Sequence, residues 1–319
     1  MIRVLQVRVG PPSPEAVEVV EVPTPEPGPA QARVRVAVRP IDPADLLLLE
    51  GRHLFRPTLP NPIGIEGAGV VEAVGAGSGL AVGDRVALIC RGTWCEQLLV
   101  TDDDVLQLPE ALALDQASML GVNPFTAAGL LEGLEPGQRV VLNAAGSAVG
   151  RMCLALARHR GVQAVAVVRR DRHASALRAL GAEAVLVDGP DLAERLRAIG
   201  PVHRALDAVA GDASGRLLDA LEEGSDLVVY GLLGSDRVDL PAATVVFRDV
   251  RITGFSRLRV IRAMPAARRA EVSEELAELA VAGVLAAQIE ARYALAEVRA
   301  ALEHQLRPDR IGKILLTSP

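Results

Sequence analysis

Hydrophobic and polar positions follow two different rules along this chain. Through the first third, short valine-rich runs such as Arg33-Val34-Arg35-Val36-Ala37-Val38 and Gly69-Val70-Val71-Glu72-Ala73-Val74 are bounded by Gly, Pro and Asp, the pattern of strands. Pro23, Pro25, Pro27, Pro29, Pro40 and Pro43 punctuate them, which suits edge strands and connections because proline has no N–H to give a ladder or a helix. Gly75 to Gly79 and Val82 to Arg85 are turn signals between strands. A compact, mostly β domain is expected over residues 1–117.

Beyond that point the period changes. Arg139 to Asn143 is a short apolar strand. Ala148 to Arg160 carries apolar residues at helical spacing, at Val149, Met152, Cys153 and Leu156. Val162 to Val168, Ala184 to Val187, Ala205 to Val209 and Asp226 to Tyr230 read as further strands. Helical His173 to Leu180, Leu192 to Ile199 and Gly215 to Leu221 lie between them. Strand and helix in alternation predict an α/β fold, a doubly wound parallel sheet, over residues 118–263. Residues 264–319 return to a mixed character: a helix from Ala266 to Ala282, a strand from Ala287 to Tyr293, a helix from Leu295 to His304 and a closing strand from Gly312 to Leu316.

The first strand-to-helix turn of the alternating region reads Asn143-Ala144-Ala145-Gly146-Ser147-Ala148-Val149-Gly150. Small residues at such a turn let backbone N–H groups and the helix dipole face a pyrophosphate. The strict G-x-G-x-x-G pattern is broken, since Ala145 and Ser147 stand at its first two glycine positions and only Gly150 fits. The end of the next strand says more. Sheets that bind NAD usually carry Asp or Glu there for the ribose, whereas this chain has Arg169 and Arg170, which suit a 2′-phosphate. The plainer alternative is an exposed arginine pair in an arginine-rich protein; the preceding fold unit favours the phosphate, and NADPH is the expected cofactor.

Composition narrows the field. A chain of 319 residues suits two domains, and 34 basic against 40 acidic side chains, a net charge of −6, argues against nucleic acid as a partner. Three cysteines cannot build a disulfide framework and read as thiols of a reducing, cytoplasmic compartment. Met1-Ile2-Arg3-Val4 reads as a strand rather than a signal peptide, and no run is apolar enough for a membrane span. Of the 34 basic residues, Lys313 alone is lysine.

Several segments together resemble the medium-chain dehydrogenase/reductase superfamily. Pro62-Ile63-Gly64-Ile65-Glu66-Gly67-Ala68-Gly69-Val70-Val71 and Val82-Gly83-Asp84-Arg85-Val86 form its N-domain signature, and the similarity runs to Gly312-Lys313-Ile314. Gly92-Thr93-Trp94, Val122-Asn123-Pro124-Phe125-Thr126-Ala127, Val168 to Asp171, Tyr230-Gly231 and Phe247 to Phe255 bring it close to the zinc-free quinone reductases and, more so, the mitochondrial-type 2-enoyl thioester reductases. The resemblance implies a GroES-like catalytic domain joined to a Rossmann domain that binds NADP. Zinc-dependent relatives hold the metal through Cys and His; here Asp42 and Ile65 stand at the matching positions, so no metal is expected. Asp42 itself reads first as a turn residue before Pro43, and second as an acid that orients His53.

The resemblance also distributes roles. It places Gly146, Ser147, Ala148, Val149 and Gly150 under the pyrophosphate, and Arg169, Arg170 and Asp171 around the adenosine phosphate. Asn123 and Thr126 fall beside the nicotinamide, Tyr230, Gly231, Leu232 and Leu233 with Phe255, Ser256, Arg257 and Leu258 along it, and Lys313 where the family has a cofactor-contacting lysine. A tyrosine that helps bind or protonate substrate in the enoyl reductases is matched by His53, either a donor in its place or a structural histidine. Candidate catalytic residues are therefore His53, Asn123 and Thr126; Asn123 and Thr126 also read as cap residues of a helix beginning near Asn123-Pro124. The implied activity is zinc-independent, NADPH-dependent reduction of a carbon–carbon double bond conjugated to a carbonyl in a small-molecule substrate. An NADPH:quinone reductase and a catalytically inactive binding protein of the same fold are the alternatives. By analogy with relatives a homodimer is expected, with Val245 to Ile252 as the joining edge strand.

Overall fold

A computed structural model describes residues 1–308 and 310–319. The chain divides into two compact units, one formed by Met1–Asn123 with Glu271–Pro319, the other by Pro124–Ala270. The sequence pattern puts the changes of character at 117 and 263. The division falls a little later at both places, because the pattern registers where periodicity changes and the units are defined by which residues pack together.

In the first unit the chain runs β1 (Ile2–Gln6), β2 (Val17–Glu21), β3 (Ala32–Pro40), α1 (Pro43–Leu49), β4 (Asn61–Pro62), β5 (Gly67–Val74), β6 (Arg85–Leu88), β7 (Gln97–Val100), β8 (Val105–Gln107) and α2 (Leu114–Ala117). The second unit is entered along α3 (Asn123–Leu131), whose first residue still belongs to the first unit, and continues with β9 (Arg139–Leu142), α4 (Ala148–His159), β10 (Gln163–Val168), α5 (Ala174–Ala179), β11 (Ala182–Val187), α6 (Leu192–Ile199), β12 (Arg204–Asp207), α7 (Asp212–Asp219), β13 (Asp226–Val229), α8 (Ala242–Phe247), β14 (Arg251–Gly254) and α9 (Arg257–Ala263). α10 (Ala266–Val281), β15 (Ile289–Ala294), α11 (Val298–Gln305) and β16 (Lys313–Thr317) close the chain.

The first unit is mostly β. Its larger sheet has the order β15-β16-β3-β5-β6-β8, with β7 also paired to β3, and a three-stranded sheet has the order β2-β1-β4. The return segment is built into this unit, since β16 pairs antiparallel with β3 and parallel with β15. Alternate side chains of β3 (Ala32, Val34, Val36) and of its neighbours fill one core with Val71, Val86, Leu88 and Val100; a second core joins Val4, Ile41, Leu49, Ile63 and Trp94 to Val298, Leu302, Ile314 and Leu316. Arg39 is buried among carbonyls, donating to Val36 O, to Leu316 O at 3.4 Å and to Cys95 O at 2.9 Å, and burial lowers its pKa to about 10.

The second unit is an all-parallel sheet ordered β11-β10-β9-β12-β13-β14. Strand order reverses between β9 and β12, and the C-terminal ends of strands at such a switch point are where doubly wound sheets take ligands. The core is aliphatic on both faces: Val141, Val165, Val167, Leu206 and Leu227 from strands against Leu154, Leu156, Leu196, Leu217 and Leu218 from helices.

One expectation is corrected here. Val245 to Ile252 is not one strand, because Val245 lies in α8 and only Arg251 and Ile252 belong to β14. Thr244 Oγ1 donates to Asp219 at 2.6 Å and the Arg248 guanidinium donates to Asp219 O and Leu221 O, which ties this stretch to the end of α7 as a helix. Asp249, at a φ of 47°, then turns the chain into β14.

Candidate active site

Because the sheet of the second unit is wholly parallel, its C-terminal ends share one edge, and four of the sequence-predicted groups fall there. Asn143 to Gly150 follows β9, Arg169 to Asp171 follows β10, Tyr230 to Leu233 follows β13, and Phe255 to Leu258 follows β14.

The turn after β9 is tight. Ala144 sits at a φ of 47°, a left-handed conformation that costs an alanine about 1 kcal/mol. Ser147 caps α4, its Oγ accepting from Gly150 N–H at 3.1 Å. Gly150 is obligatory for close packing, since a Cβ there would lie 2.7 Å from Ala145 Cα and 2.8 Å from two carbonyl oxygens. A Cβ at Gly146 would meet nothing within 4 Å, so space is open above the turn. The first N–H groups of α4 have no carbonyl of their own helix to bond, and with the helix dipole they suit an anion in that space. Arg169, Arg170 and Asp171 are exposed at the end of the adjacent strand, and neither arginine makes a hydrogen bond or ion pair among the described residues. Two uncommitted guanidiniums beside a helix-capped turn fit a dinucleotide bearing an extra phosphate.

Tyr230 and Phe255 face differently from Arg169. The Tyr230 hydroxyl is buried without a hydrogen-bond partner; burial, with Cys153 and Asp207 nearby, raises its pKa well above the ordinary phenol range. The Phe255 ring packs against Gly129 of α3, where a Cβ would come within 2.7 Å of it. Gly231 approaches Ala208, a Cβ there lying 2.7 Å from its carbonyl oxygen, and Leu233 is exposed.

Sequence reasoning passed over Asp207. It is fully buried at the end of β12, and its Oδ1 accepts from Asn143 Nδ2 at 2.6 Å, Val209 N–H at 2.8 Å and Ala210 N–H at 3.0 Å, while its Oδ2 accepts from Ser214 Oγ. Asn143 Oδ1 in turn accepts from Ala208 N–H at 2.7 Å. This network fastens the turn after β9 to the turn after β12 and holds Ala210 at a φ of 66°. A carboxylate closing a buried apolar strand was the available signal.

Asn123 and Thr126 lie one turn apart on α3. Asn123 is the first residue of the helix rather than a cap before it; it is 3% exposed, and its Nδ2 is buried with no hydrogen-bond partner. An orphaned buried amide costs on the order of 1–3 kcal/mol unless a ligand accepts from it.

In the first unit, His53 follows α1, its N–H donating to Leu47 O. His53 Nδ1 accepts from Phe55 N–H at 2.9 Å, which leaves Nε2 to carry the proton of the neutral ring. Partial burial, then the charges of Arg91 and Arg56, lower its pKa from 6.5. His53 is thus a neutral Nε2–H donor at pH 7. The sign is that of a group held neutral by the fold: protonation is resisted as pH falls through 6.5, and below the lowered pKa the donor becomes an imidazolium. A nitrogen-15 NMR titration is expected to place the His53 midpoint below 6.5, with Nδ1 unprotonated at pH 7; a midpoint above 6.5 contradicts this arrangement.

Lys313 is 6% exposed and its Nζ donates to Asp42 Oδ1 in a buried ion pair. Asp42 stands at the N-terminus of α1, where its N–H donates to Asp45 Oδ2 at 2.9 Å. Asp45 is wholly buried, and burial with the neighbouring Asp42 charge raises its pKa well above the carboxylate range. Asp42 is therefore the countercharge of Lys313, and it is not among the groups acting on His53. The residues at these positions do not fit a zinc ion: Ile65 offers no donor atom and an ammonium stands on the Asp42 carboxylate. Among the described residues no group of three or more His, Cys, Asp or Glu side chains is placed to hold a metal. Burial pushes the Cys90 and Cys153 thiols up to about 12, away from the thiolate that a ligand or nucleophile requires.

Comparison with known proteins gives a consistent result. Residues 28–110 match the family model described as alcohol dehydrogenase GroES-like domain, and residues 148–278 the one described as zinc-binding dehydrogenase. The mitochondrial enoyl-[acyl-carrier-protein] reductase of Homo sapiens is 31% identical over 292 residues, 87% of this chain and 78% of the relative. A Bacillus thuringiensis structure described as an NADPH:quinone reductase superposes with a TM-score of 0.91 at 27% identity, covering 100% of this chain and 99% of its own. Escherichia coli quinone oxidoreductase complexed with NADPH gives a TM-score of 0.90 at 24% identity over 100% of both chains.

Proposed function

This chain belongs to the medium-chain dehydrogenase/reductase superfamily, beside the mitochondrial enoyl-[acyl-carrier-protein] reductases, and from that membership we propose that it is an NADPH-dependent oxidoreductase that reduces the carbon–carbon double bond of 2-enoyl thioesters without zinc. The observation that carries the cofactor is the uncommitted Arg169–Arg170 pair at the end of β10, beside the capped turn 143–150. The substrate class follows from the 31% identity to the human enoyl reductase.

When bound, NADPH supplies a hydride to the electron-poor β-carbon. The residues of this chain do the rest. Gly146 to Gly150 would offer backbone N–H groups and the α4 dipole to the pyrophosphate, and Arg169 and Arg170 would clasp the 2′-phosphate, with Asp171 closing their loop through its carbonyl to Ala174 N–H. Asn123 Nδ2, buried and unbonded, would give the nicotinamide part of the cofactor a hydrogen-bond donor, with Thr126 beside it on α3. Lys313 adds a positive charge for the cofactor; two of its three ammonium N–H groups remain after Asp42 takes one. His53 Nε2–H would donate to the thioester oxygen, where negative charge develops, and a proton taken from solvent water at the α-carbon completes the reduction. Tyr230, through its inward hydroxyl, and Phe255, through its packing on Gly129, shape the edge, along which Gly231 to Leu233 and Ser256 to Leu258 supply backbone.

Two measurements test this reading. NADPH oxidation is assayed with crotonyl-CoA and with a small quinone: turnover of crotonyl-CoA is expected, and turnover of the quinone alone transfers the assignment to the second reading, NADPH:quinone reductase, which the 27% identity to the Bacillus thuringiensis structure supports. Stimulation by neither, with NADPH bound, leaves a non-catalytic binding protein. His53→Phe is expected to lower turnover about tenfold, a modest loss because water can replace a half-exposed donor, with NADPH affinity unchanged. Unchanged turnover would reduce His53 to lining.

No helix among the described residues is long and apolar enough to cross a membrane. The three cysteines are free thiols, which supports a reducing compartment, and we take it to be the cytoplasm. A homodimer joined at β14 is supported by that strand's place at the sheet edge and by Phe247 beside it, 81% exposed. Phe247→Asp is expected to shift the mass in solution to that of one chain.

A further inference from the structure

We propose that Glu290 is a positioning residue for Lys313: its carboxylate clamps the two peptide N–H groups that precede the lysine and so holds the ammonium on Asp42. The assignment rests on the reading of Lys313 as a cofactor contact.

The geometry begins with a bulge. Along the β15–β16 ladder Ile289 pairs with Lys313 and Ala291 with Ile314, so Glu290 is an extra residue with no partner of its own. A bulge re-aims the side chain it carries. Here the carboxylate turns to the connection before β16, where Oε2 accepts from Ile311 N–H at 2.7 Å and from Gly312 N–H at 2.8 Å. Gly312 makes the approach possible, since a Cβ there would lie 2.8 Å from Glu290 Cβ and from its backbone nitrogen. The next residue is Lys313, whose own N–H donates to Gln288 O at 2.8 Å. Three consecutive amides, 311 to 313, are thus tied to β15 and its approach, two of them by one carboxylate.

Glu290 is itself held. Its Oε1 lies 3.0 Å from His304 Nε2, and His304 Nδ1 lies 2.9 Å from the Tyr293 hydroxyl. A carboxylate only accepts, so Nε2 carries the proton, and in the neutral ring Nδ1 accepts from the tyrosine O–H. Tyr293 and His304 meet edge to face, with ring centroids 6.0 Å apart. Burial pushes the Glu290 pKa up, but the amides of Gly312 and Ile311, with His304, outweigh it and hold the group below its ordinary range. The clamp is therefore an anion that lasts across neutral pH.

The spacing explains the need. A lysine has four side-chain torsions, and burying its charge is costly unless the ammonium arrives on its partner. Fixing the backbone on both sides of residue 313, by β16 after it and Glu290 before it, removes the freedom that would let the chain miss Asp42.

The test measures NADPH dissociation constants by nucleotide fluorescence on the full chain, each variant first checked for a cooperative thermal transition. Lys313→Gln is expected to raise Kd about tenfold and Glu290→Ala about fivefold. Glu290→Gln, whose side-chain oxygen still accepts both amides, is expected to stay within about twofold of the parent. In the Lys313→Gln/Glu290→Ala pair the losses do not multiply, and Kd stays within about twofold of Lys313→Gln alone. Losses that multiply, or an unchanged Kd in Glu290→Ala, overturn the positioning role and leave Lys313 as a cofactor contact. An unchanged Kd in Lys313→Gln overturns that contact and the positioning role with it. Should Glu290→Ala not fold, Glu290→Asp, one methylene shorter and still charged, takes its place in the same cycle with the same expectation.

Discussion

Replacing Arg169 and Arg170 together with alanine is expected to weaken NADPH about a hundredfold and to leave NADH within about twofold. Each guanidinium would make charge-assisted hydrogen bonds to the 2′-phosphate, worth on the order of 1.5–3 kcal/mol apiece before screening, and both are solvent-exposed, which takes the sum toward its lower end. NADH has only a hydroxyl there, so the same substitutions remove little from it. Neither arginine supports the fold through a hydrogen bond or ion pair among the described residues, so the thermal midpoint should not move. Titration of both nucleotides by fluorescence, at two salt concentrations, reads the result. Equal weakening of both would refute the 2′-phosphate assignment.

Asp207→Ala is expected to destabilise the second unit by about 3 kcal/mol, because it strands four donors that now meet one buried carboxylate, from Asn143, Val209, Ala210 and Ser214. For a unit of this size that corresponds to a fall of about 9 °C in Tm. Ala210 would also lose what holds it at positive φ, and the turn carrying Asn143 would loosen from its neighbour, so NADPH should bind more weakly too. Asp207→Asn is expected to fall between, since its oxygen still accepts while its NH2 group meets donors. A scan in which Asp207→Ala melts with the parent would show that the network holds nothing.

Much of this molecule is legible in its residues. Alternating apolar segments between Arg139 and Val229 become the parallel sheet within a residue or two, because each buried strand and amphipathic helix writes its own period. Gly150 is readable at the turn after β9 because a close-packed glycine is a local requirement, whereas Ser147 as the N-cap of α4 emerges only from the structure. Arg169 and Arg170 are readable because they end a strand whose place in the unit is known from order alone. The stretch from Val245 to Ile252 misleads for the same reason: its valines suit a strand, while the contacts that make it helical come from Asp219 and Leu221.

What the chain's order of residues determined by itself was the alternation of elements, the family signature and the chemistry offered at each strand end. Tertiary structure alone decided the pairing of Lys313 with Asp42, 271 positions away, the burial and the Arg91 charge that lower the His53 pKa, the bulge that aims Glu290 and the network around Asp207. The division has a physical cause. Periodicity and capping depend on neighbours within a turn or two, and any segment carries them. The state of a buried charge depends on which distant group desolvates it or shares its proton, and that is settled only when the sheets close.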